Sequence, residues 1–287
     1  MDIDICIPTF GQAKYLRATL DSLPSTELGV SIFVSDGGSN FDHLLYPMVK
    51  WKRLEPDPGL VACWTNAANR GSSDYLAFIA DDNCWLPETL ELIEAFIKRF
   101  PKADIWFARQ QFVDADGKEI HQEIQNFDNQ FGRNQLTEGY LNSAERLIAL
   151  EKNSIPLEAC VITRKAWEQL GGFSSEAHGA LDRHFFAKAI AVGIEIAYDP
   201  SYWTIFRFHE QAYSSQSRQE QIRGTHWSLL DARKLADITT QPVFQRLICN
   251  STLNLLRTSL GNLDAWRQAI TQFIRSPVTF FKAVMRF

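Results

Sequence analysis

The first hundred residues alternate between short apolar runs and segments with helical spacing, and this alternation leaves few folds open. Short buried strands are predicted at residues 4–8 ("DICIP") and 30–35 ("VSIFVS"). Between them, "QAKYLRATLDSL" sets Tyr15, Leu16, Leu20 and Leu23 at helical intervals. "DGGSN" is a turn by composition, "FDHLLYPMV" a short helix cut by Pro47, and "KRLEP" a short strand. "LVACWTNAANR" reads as a helix and "YLAFIA" as the next strand. "PETLELIEAFIKRF" opens with Pro, carries Glu early and ends in Lys and Arg, a helix that complements its own dipole. The order βαβαβαβα predicts a mostly parallel, doubly wound sheet. Ligands of such sheets sit beyond the carboxyl ends of the strands, and three ends here are chemically unusual: "PTFG", "SDGGS" and "ADDN".

The middle of the chain is mixed. "DIWFARQQFV" predicts a strand, "DADG" a hairpin turn, and "KEIHQEI" a return strand. "IPLEACVITRKAWEQLGGF" follows as strand, helix and Gly-Gly break, and "ALDRHFFAKAIAVG" as a helix closed by Gly193. "EIAY" is a short strand, and "YWTIFRFHEQAYSS" an aromatic strand running into a polar loop at His209. From Ser217 onward the reading is helical. This last part holds ten Lys/Arg and four Asp/Glu, a balance of +6 against -5 for the whole chain, so the body carries -11.

With 45% hydrophobic and 22% charged residues in 287, the chain has enough apolar mass for one large α/β domain and an extension. Its net charge gives no footprint for nucleic acid, so no nucleic-acid partner is expected. The five cysteines are scattered, odd in number and without a CxxC, which points to reduced thiols in a cytoplasmic protein. "MDIDICIPTF" is acidic and enters a strand at once, unlike a signal peptide, and no apolar run reaches the roughly 18 residues needed to cross a bilayer. The last stretch, "FIRSPVTFFKAVMRF", fits a core-packing helix with solvated cations. It fits equally an interfacial segment giving peripheral contact with the inner face of a membrane.

Two adjacent carboxylates, Asp81 and Asp82, end the "YLAFIA" strand. An N-cap role explains one of them. Neighbouring carboxylates repel and are best tolerated beside a cation. Oxygen ligands there suit Mg²⁺ or Mn²⁺, which keep some waters and bridge to phosphate oxygens.

In its motifs the chain resembles an inverting family 2 glycosyltransferase of the GT-A fold, of the polysaccharide-biosynthesis type. The segments that carry the resemblance are "ICIPTFGQAKYLRATLDSL", "VSDGGSN", "PDPGLVACWTNAANRG", "YLAFIADDNCWLPETL", "ITRKAWEQLGGF", "HGALDRHFFAKAI" and "FRFHEQAYSS". The resemblance implies a GT-A domain over residues 1–216, with a Rossmann-like nucleotide-sugar-binding half (1–100) and an acceptor-binding half (101–216). Residues 217–287 then form a helical C-terminal extension. It implies a nucleotide-diphosphate sugar donor, UDP-linked in most relatives, and a saccharide or lipid-linked saccharide acceptor. Pro8, Thr9, Phe10, Asp36, Asn66 and Asp81 are the implied donor contacts. Asp82, Asn83 and His209 are the implied metal ligands, Asp182 the catalytic base, and Glu158 and His178 acceptor contacts. Two positions depart from the family pattern. Asn83 stands where an acid is common, and Gly37 follows Asp36 where a second Asp is frequent.

A second function class fits the same fold: a non-catalytic nucleotide-sugar or glycan-binding protein, with Asn83 and Gly37 as marks of decay. Retention of Asp81 and Asp182 favours the enzyme. A sugar-phosphate nucleotidyltransferase is disfavoured, since no Gly-rich basic loop near the N-terminus could handle a triphosphate.

Overall fold

A computed structural model describes residues 1–11, 13–213, 218–258 and 263–284. Strand β1 (Ile3–Thr9) is buried along its whole length, as a strand covered on both faces is, with Ile3, Ile5 and Ile7 in the core and the buried Asp4 paired with Arg164 at 2.6 Å. It pairs in parallel with β2 (Val30–Asp36) and β4 (Tyr75–Phe78), and β3 (Lys50–Arg53) extends β2 in parallel. The crossovers are helical: α1 (Leu16–Asp21) follows β1, and α2 (Leu60–Arg70) follows β3. Beyond β4, α3 (Thr89–Arg99) buries Leu90, Ile93, Phe96 and Ile97 on one face, the spacing of an amphipathic helix. Side chains from β1, β2 and α3 meet in one apolar cluster with Trp85, Trp106 and Trp203.

The remaining strands of the sheet are β5 (Cys84–Trp85), β6 (Ile105–Val113), β7 (Gly139–Tyr140), β8 (Cys160–Thr163) and β9 (Ile196–Arg207). The order is β3-β2-β1-β4-β8-β6-β9-β5, with β7 on β9. The sheet is therefore parallel in its first four strands and mixed beyond them. β8 runs antiparallel to β4 and β6, while β6 and β9 are parallel.

Three local expectations change. Helix α3 begins at Thr89, not at Pro87. Glu88 before it adopts a left-handed φ of 63°, and the Thr89 hydroxyl donates to the carbonyls of Leu86 and Trp203, both at 2.7 Å. The return strand expected after "DADG" is a single bridge, Val113 to Glu119, and then a helix, α4 (His121–Gln130). Asp114 closes the turn by accepting from the backbone N–H of Asp116 and Lys118 at 3.0 and 2.9 Å. The polar residues that follow bury too little to hold a strand. "EIAY" and the aromatic run are one strand, β9. Asp199 holds the irregularity between them, accepting from Ser201 N–H at 2.8 Å and Trp203 Nε1 at 3.0 Å.

The chain forms two compact units. The first is Met1–Gly172 with Ile194–Glu210; the second is Phe173–Gly193 with Gln211–Phe287. The first holds the sheet, together with α5 (Ser143–Lys152) and α6 (Arg164–Leu170). The second holds a 3₁₀ turn (Ser175–Ala180) and helices α7 (Leu181–Ala191), α8 (Arg218–Ala232), α9 (Gln241–Thr258), α10 (Leu263–Arg275) and α11 (Pro277–Val284). Within it, Gly224 of α8 is required by close approach, because a Cβ there would lie 2.0 Å from the Ala177 carbonyl oxygen. His184 of α7 meets Asp231 of α8 at 3.0 Å, and His226 of α8 meets Ser251 of α9 at 2.8 Å.

Candidate functional site

In the sheet unit, β1 and β4 end side by side, and Thr9 Oγ1 donates to Asp81 Oδ2 at 2.5 Å. Burial pushes the Asp81 carboxyl up to about 7; Thr9 opposes the shift and the neighbouring Asp82 charge adds to it. An arriving cation would tip this carboxyl toward its ionised form. Asp82 has a different partner. Its Oδ2 lies 2.9 Å from His209 Nε2, just past the end of β9.

Aromatic and cationic groups hold His209 in place. Its ring lies 5.1 Å from that of Tyr15, and the Arg207 guanidinium sits 4.6 Å from the other ring's centre. Arg207 Nε also donates to the Asp82 carbonyl at 3.1 Å. Asn83 is 2% exposed, and both ends of its amide are engaged. Its Oδ1 accepts from the Arg207 backbone N–H at 2.8 Å, and its Nδ2 donates to Glu158 Oε2 at 2.6 Å. Asn83 thus joins three chain segments, which leaves Asp82 and His209 as the metal-type donors here. Glu158, expected on the acceptor side, is the partner of Asn83. Among the described residues, no three His, Cys, Asp or Glu side chains converge on a point.

The end of β2 carries a second constellation. Asp36 is buried and saturated. One oxygen accepts from the N–H groups of Gly38 (2.9 Å) and Ser39 (2.5 Å), the other from Arg53 Nη1 (2.5 Å) and Trp51 Nε1 (3.3 Å). Burial alone would raise its carboxyl, but the Ser39, Gly38 and Arg53 hydrogen bonds hold it below the ordinary carboxylate range. This carboxylate shapes the turn and has no oxygen to spare for a base. Asp57, from the loop before α2, stands beside this turn. A Cβ on Gly37 would lie 2.4 Å from Asp57 Oδ1, so the Asp57 carboxylate fills the space a side chain at 37 would need. Phe10 is 63% exposed, and its ring comes within 3.5 Å of where a Gly38 Cβ would stand. An exposed aromatic face and an exposed carboxylate therefore flank Gly37 and Gly38. Pro8 is buried within β1 opposite Ser35, and the Asn66 Oδ1 accepts from Ser35 Oγ at 3.0 Å, tying α2 to β2.

In the helical unit, Asp182 lies in the first turn of α7, where the helix dipole favours a carboxylate. Arg183 beside it is pulled below the usual arginine range by burial, against the pull of Asp182. His178 takes φ 47° and ψ -130° within the 3₁₀ turn, a strained conformation for a non-glycine residue.

Sequence reading missed Asp57, Arg53, Tyr15 and Arg207. Tyr15 counted as an apolar helix position, and Arg53 and Arg207 sat inside strand runs. Asp57 gave one usable signal, its place in the Pro-Asp-Pro-Gly turn.

The profile of glycosyl transferase family 2 matches residues 4–153, just over half of the chain. No curated protein gives a significant sequence match. Residues 1–349 of TarS from S. aureus, in complex with UDP-GlcNAc, superpose with a TM-score of 0.66 at 19% identity, covering 99% of this chain and 82% of that one. The same TarS fragment with UDP gives 0.61 at 19% identity, covering 99% and 81%. The mannosyltransferase PcManGT from Pyrobaculum calidifontis, in complex with GDP-Man and Mn²⁺, gives 0.58 at 14% identity, covering 99% and 86%.

Proposed function

The chain belongs to glycosyl transferase family 2, and from that premise we propose that it transfers a sugar, with inversion, from a nucleoside-diphosphate sugar to a saccharide or lipid-linked saccharide. The observation that carries the proposal is the pairing of Asp82 with His209 beside the Thr9–Asp81 hydrogen bond at the carboxyl ends of β1 and β4. Similar folds solved with UDP-GlcNAc and with GDP-Man support a nucleotide-sugar donor.

The residues fit a divalent cation. A carboxylate oxygen and an imidazole nitrogen are both ordinary ligands for Mn²⁺, and a two-group protein site suits an ion whose other ligands are phosphate oxygens and water. Asp82 and His209 would hold Mn²⁺ or Mg²⁺, which supplies charge neutralisation for a departing diphosphate. Asp81, held by Thr9, faces the donor side as a hydrogen-bond acceptor for the ribose. The nucleobase stacks on Phe10 and gives a ring N–H to Asp57. Asn66 and Pro8 shape this pocket from behind.

Asp182 takes the proton from the acceptor hydroxyl as that oxygen attacks the anomeric carbon, and His178 orients the acceptor. A single displacement with one base inverts the anomeric centre, so an α-linked donor yields a β-linkage. The functional division is a transferase domain over 1–216 and a helical extension over 217–287. The enzyme works in the cytoplasm, with peripheral membrane contact through its C-terminal segment. No described helix is long and apolar enough to cross a membrane. Ile274 and Val278 of that segment are exposed. The side chains of Phe273, Phe281, Lys282 and Val284, and residues 285–287, lie outside the described residues.

Calorimetry with UDP, GDP and CDP in Mn²⁺ and in EDTA tests the site, together with metal-dependent hydrolysis of the matching sugar nucleotides. Equal affinity in EDTA would remove the metal role. Tight binding without turnover would favour the non-catalytic alternative.

A further inference from the structure

A strand face covered by a helix is ordinarily apolar, and polar residues there call for a function. Beside α4, whose Phe127 packs on Phe112 of β6 as that rule expects, Arg109 and Gln111 of β6 and Tyr202 of β9 depart from it. They bound a cavity of about 290 Å³ lined by Arg109, Gln111, Glu119, His121, Gln125 and Tyr202, with Ile124 the one aliphatic side chain. The volume is at the small end of ligand sites, which start at about 300 Å³. It suits a single compact moiety.

The strands are irregular where this cavity is built. Phe107 pairs with Tyr198, Arg109 with Tyr202 and Gln110 with Thr204, so β9 carries extra residues on both sides of the Arg109–Tyr202 pair. Such bulges re-aim side chains and are common beside active sites. The re-aimed arginine is held on two sides. It pairs with the buried Asp128 of α4, and its guanidinium lies 4.5 Å from the Tyr202 ring centre. Its orientation is fixed before any ligand arrives.

The chemistry of the lining selects the ligand class. Two amides, a guanidinium, a carboxylate and an imidazole supply hydrogen-bond donors and acceptors together. An anion would meet Glu119 and compete with Asp128 for Arg109, and an apolar ligand would find only Ile124 and the Tyr202 ring among polar side chains. Vicinal hydroxyls use both kinds of partner. The position is equally specific. Gln111 lies opposite Ile205, and Ile205 lies opposite Cys84, the residue after Asn83. Two strand spacings of about 4.8 Å put the Gln111 backbone about 10 Å from that of Cys84, beside the Asp82–His209 pair.

We infer that this cavity is a saccharide subsite that binds one polyhydroxylated unit of the acceptor. The inference rests on the glycosyl-transfer reading. Saturation-transfer NMR on the full chain, with glucose, galactose, mannose, N-acetylglucosamine and ribitol as probes at millimolar concentration, tests it without turnover. At least one probe is expected to bind. Its signal should fall at least fivefold in Gln125→Ala, on an exposed helix position, and in Gln111→Ala, with UDP affinity in Mn²⁺ unchanged in both. Absence of binding by all five probes, or binding that survives both substitutions, overturns the subsite. UDP failing to bind the parent protein in the same samples would instead overturn the glycosyl-transfer reading.

Discussion

At the scale of single residues, two aspartates near the β2 turn differ in how far their oxygens are already engaged. Asp36 carries four hydrogen bonds and is closed to ligands, while Asp57 stands against Gly37 beside the exposed Phe10 ring. A carboxylate there accepts from uracil or guanine, which present a ring N–H, and repels the acceptor nitrogen of cytosine. Asp57→Asn is expected to weaken UDP binding about tenfold and to narrow the gap between UDP and CDP. That equals about 1.4 kcal/mol, the scale of a hydrogen bond to a charged group. Calorimetry of both nucleotides checks it, and an unchanged UDP to CDP ratio would return base recognition to another residue. Asp36→Asn should act on folding instead, by weakening the buried acceptor that holds the Gly38 and Ser39 N–H groups and Arg53 Nη1, and should lower the thermal midpoint.

At the scale of elements, helix α8 couples stability to pH. Ser251 Oγ lies 2.8 Å from His226 Nδ1 and 2.9 Å from the Ile248 carbonyl oxygen. Burial lowers the His226 value from 6.5 to about 4, against a weaker raising effect of Gln268. Above pH 6.5 both folded and unfolded chains hold it neutral. Between 6.5 and 4 only the unfolded chain takes up the proton, so stability falls as pH drops through that window. The loss from this residue is about 2 kcal/mol at pH 5. Urea unfolding at pH 7 and pH 5 should show it, and His226→Gln should shrink the difference by about that amount. The same helix supplies a packing test. A methyl at Gly224 collides with the Ala177 backbone, so Gly224→Ala should destabilise by about 1–3 kcal/mol, a typical overpacking cost. An unchanged thermal midpoint would show that α8 moves aside freely.

At the scale of the whole molecule, Asp182 at the head of α7 is the proposed base. Asp182→Asn should keep UDP affinity and lower turnover by a factor of about 10² to 10⁴, the usual worth of a general base. Parent-like turnover would assign the proton to another group. The alternation of apolar runs was sufficient to specify the parallel half of the sheet, its crossovers and the carboxyl-end location of Thr9, Asp36 and Asp81. Those features depend on residues close in sequence, where spacing and burial dictate local structure. The partners of the site were decided elsewhere. His209 reaches Asp82 across 127 positions, Asn83 is taken up by Arg207 and Glu158, and Asp57 fills the space beside Gly37. Each follows from how β9, the 158 segment and the loop before α2 meet the strand ends. That meeting is set by the register and bulges of distant strands, which no local periodicity encodes. Sequence alone thus determined that carboxylates would gather at the mouth of this sheet, and the tertiary structure decided which partner each of them takes.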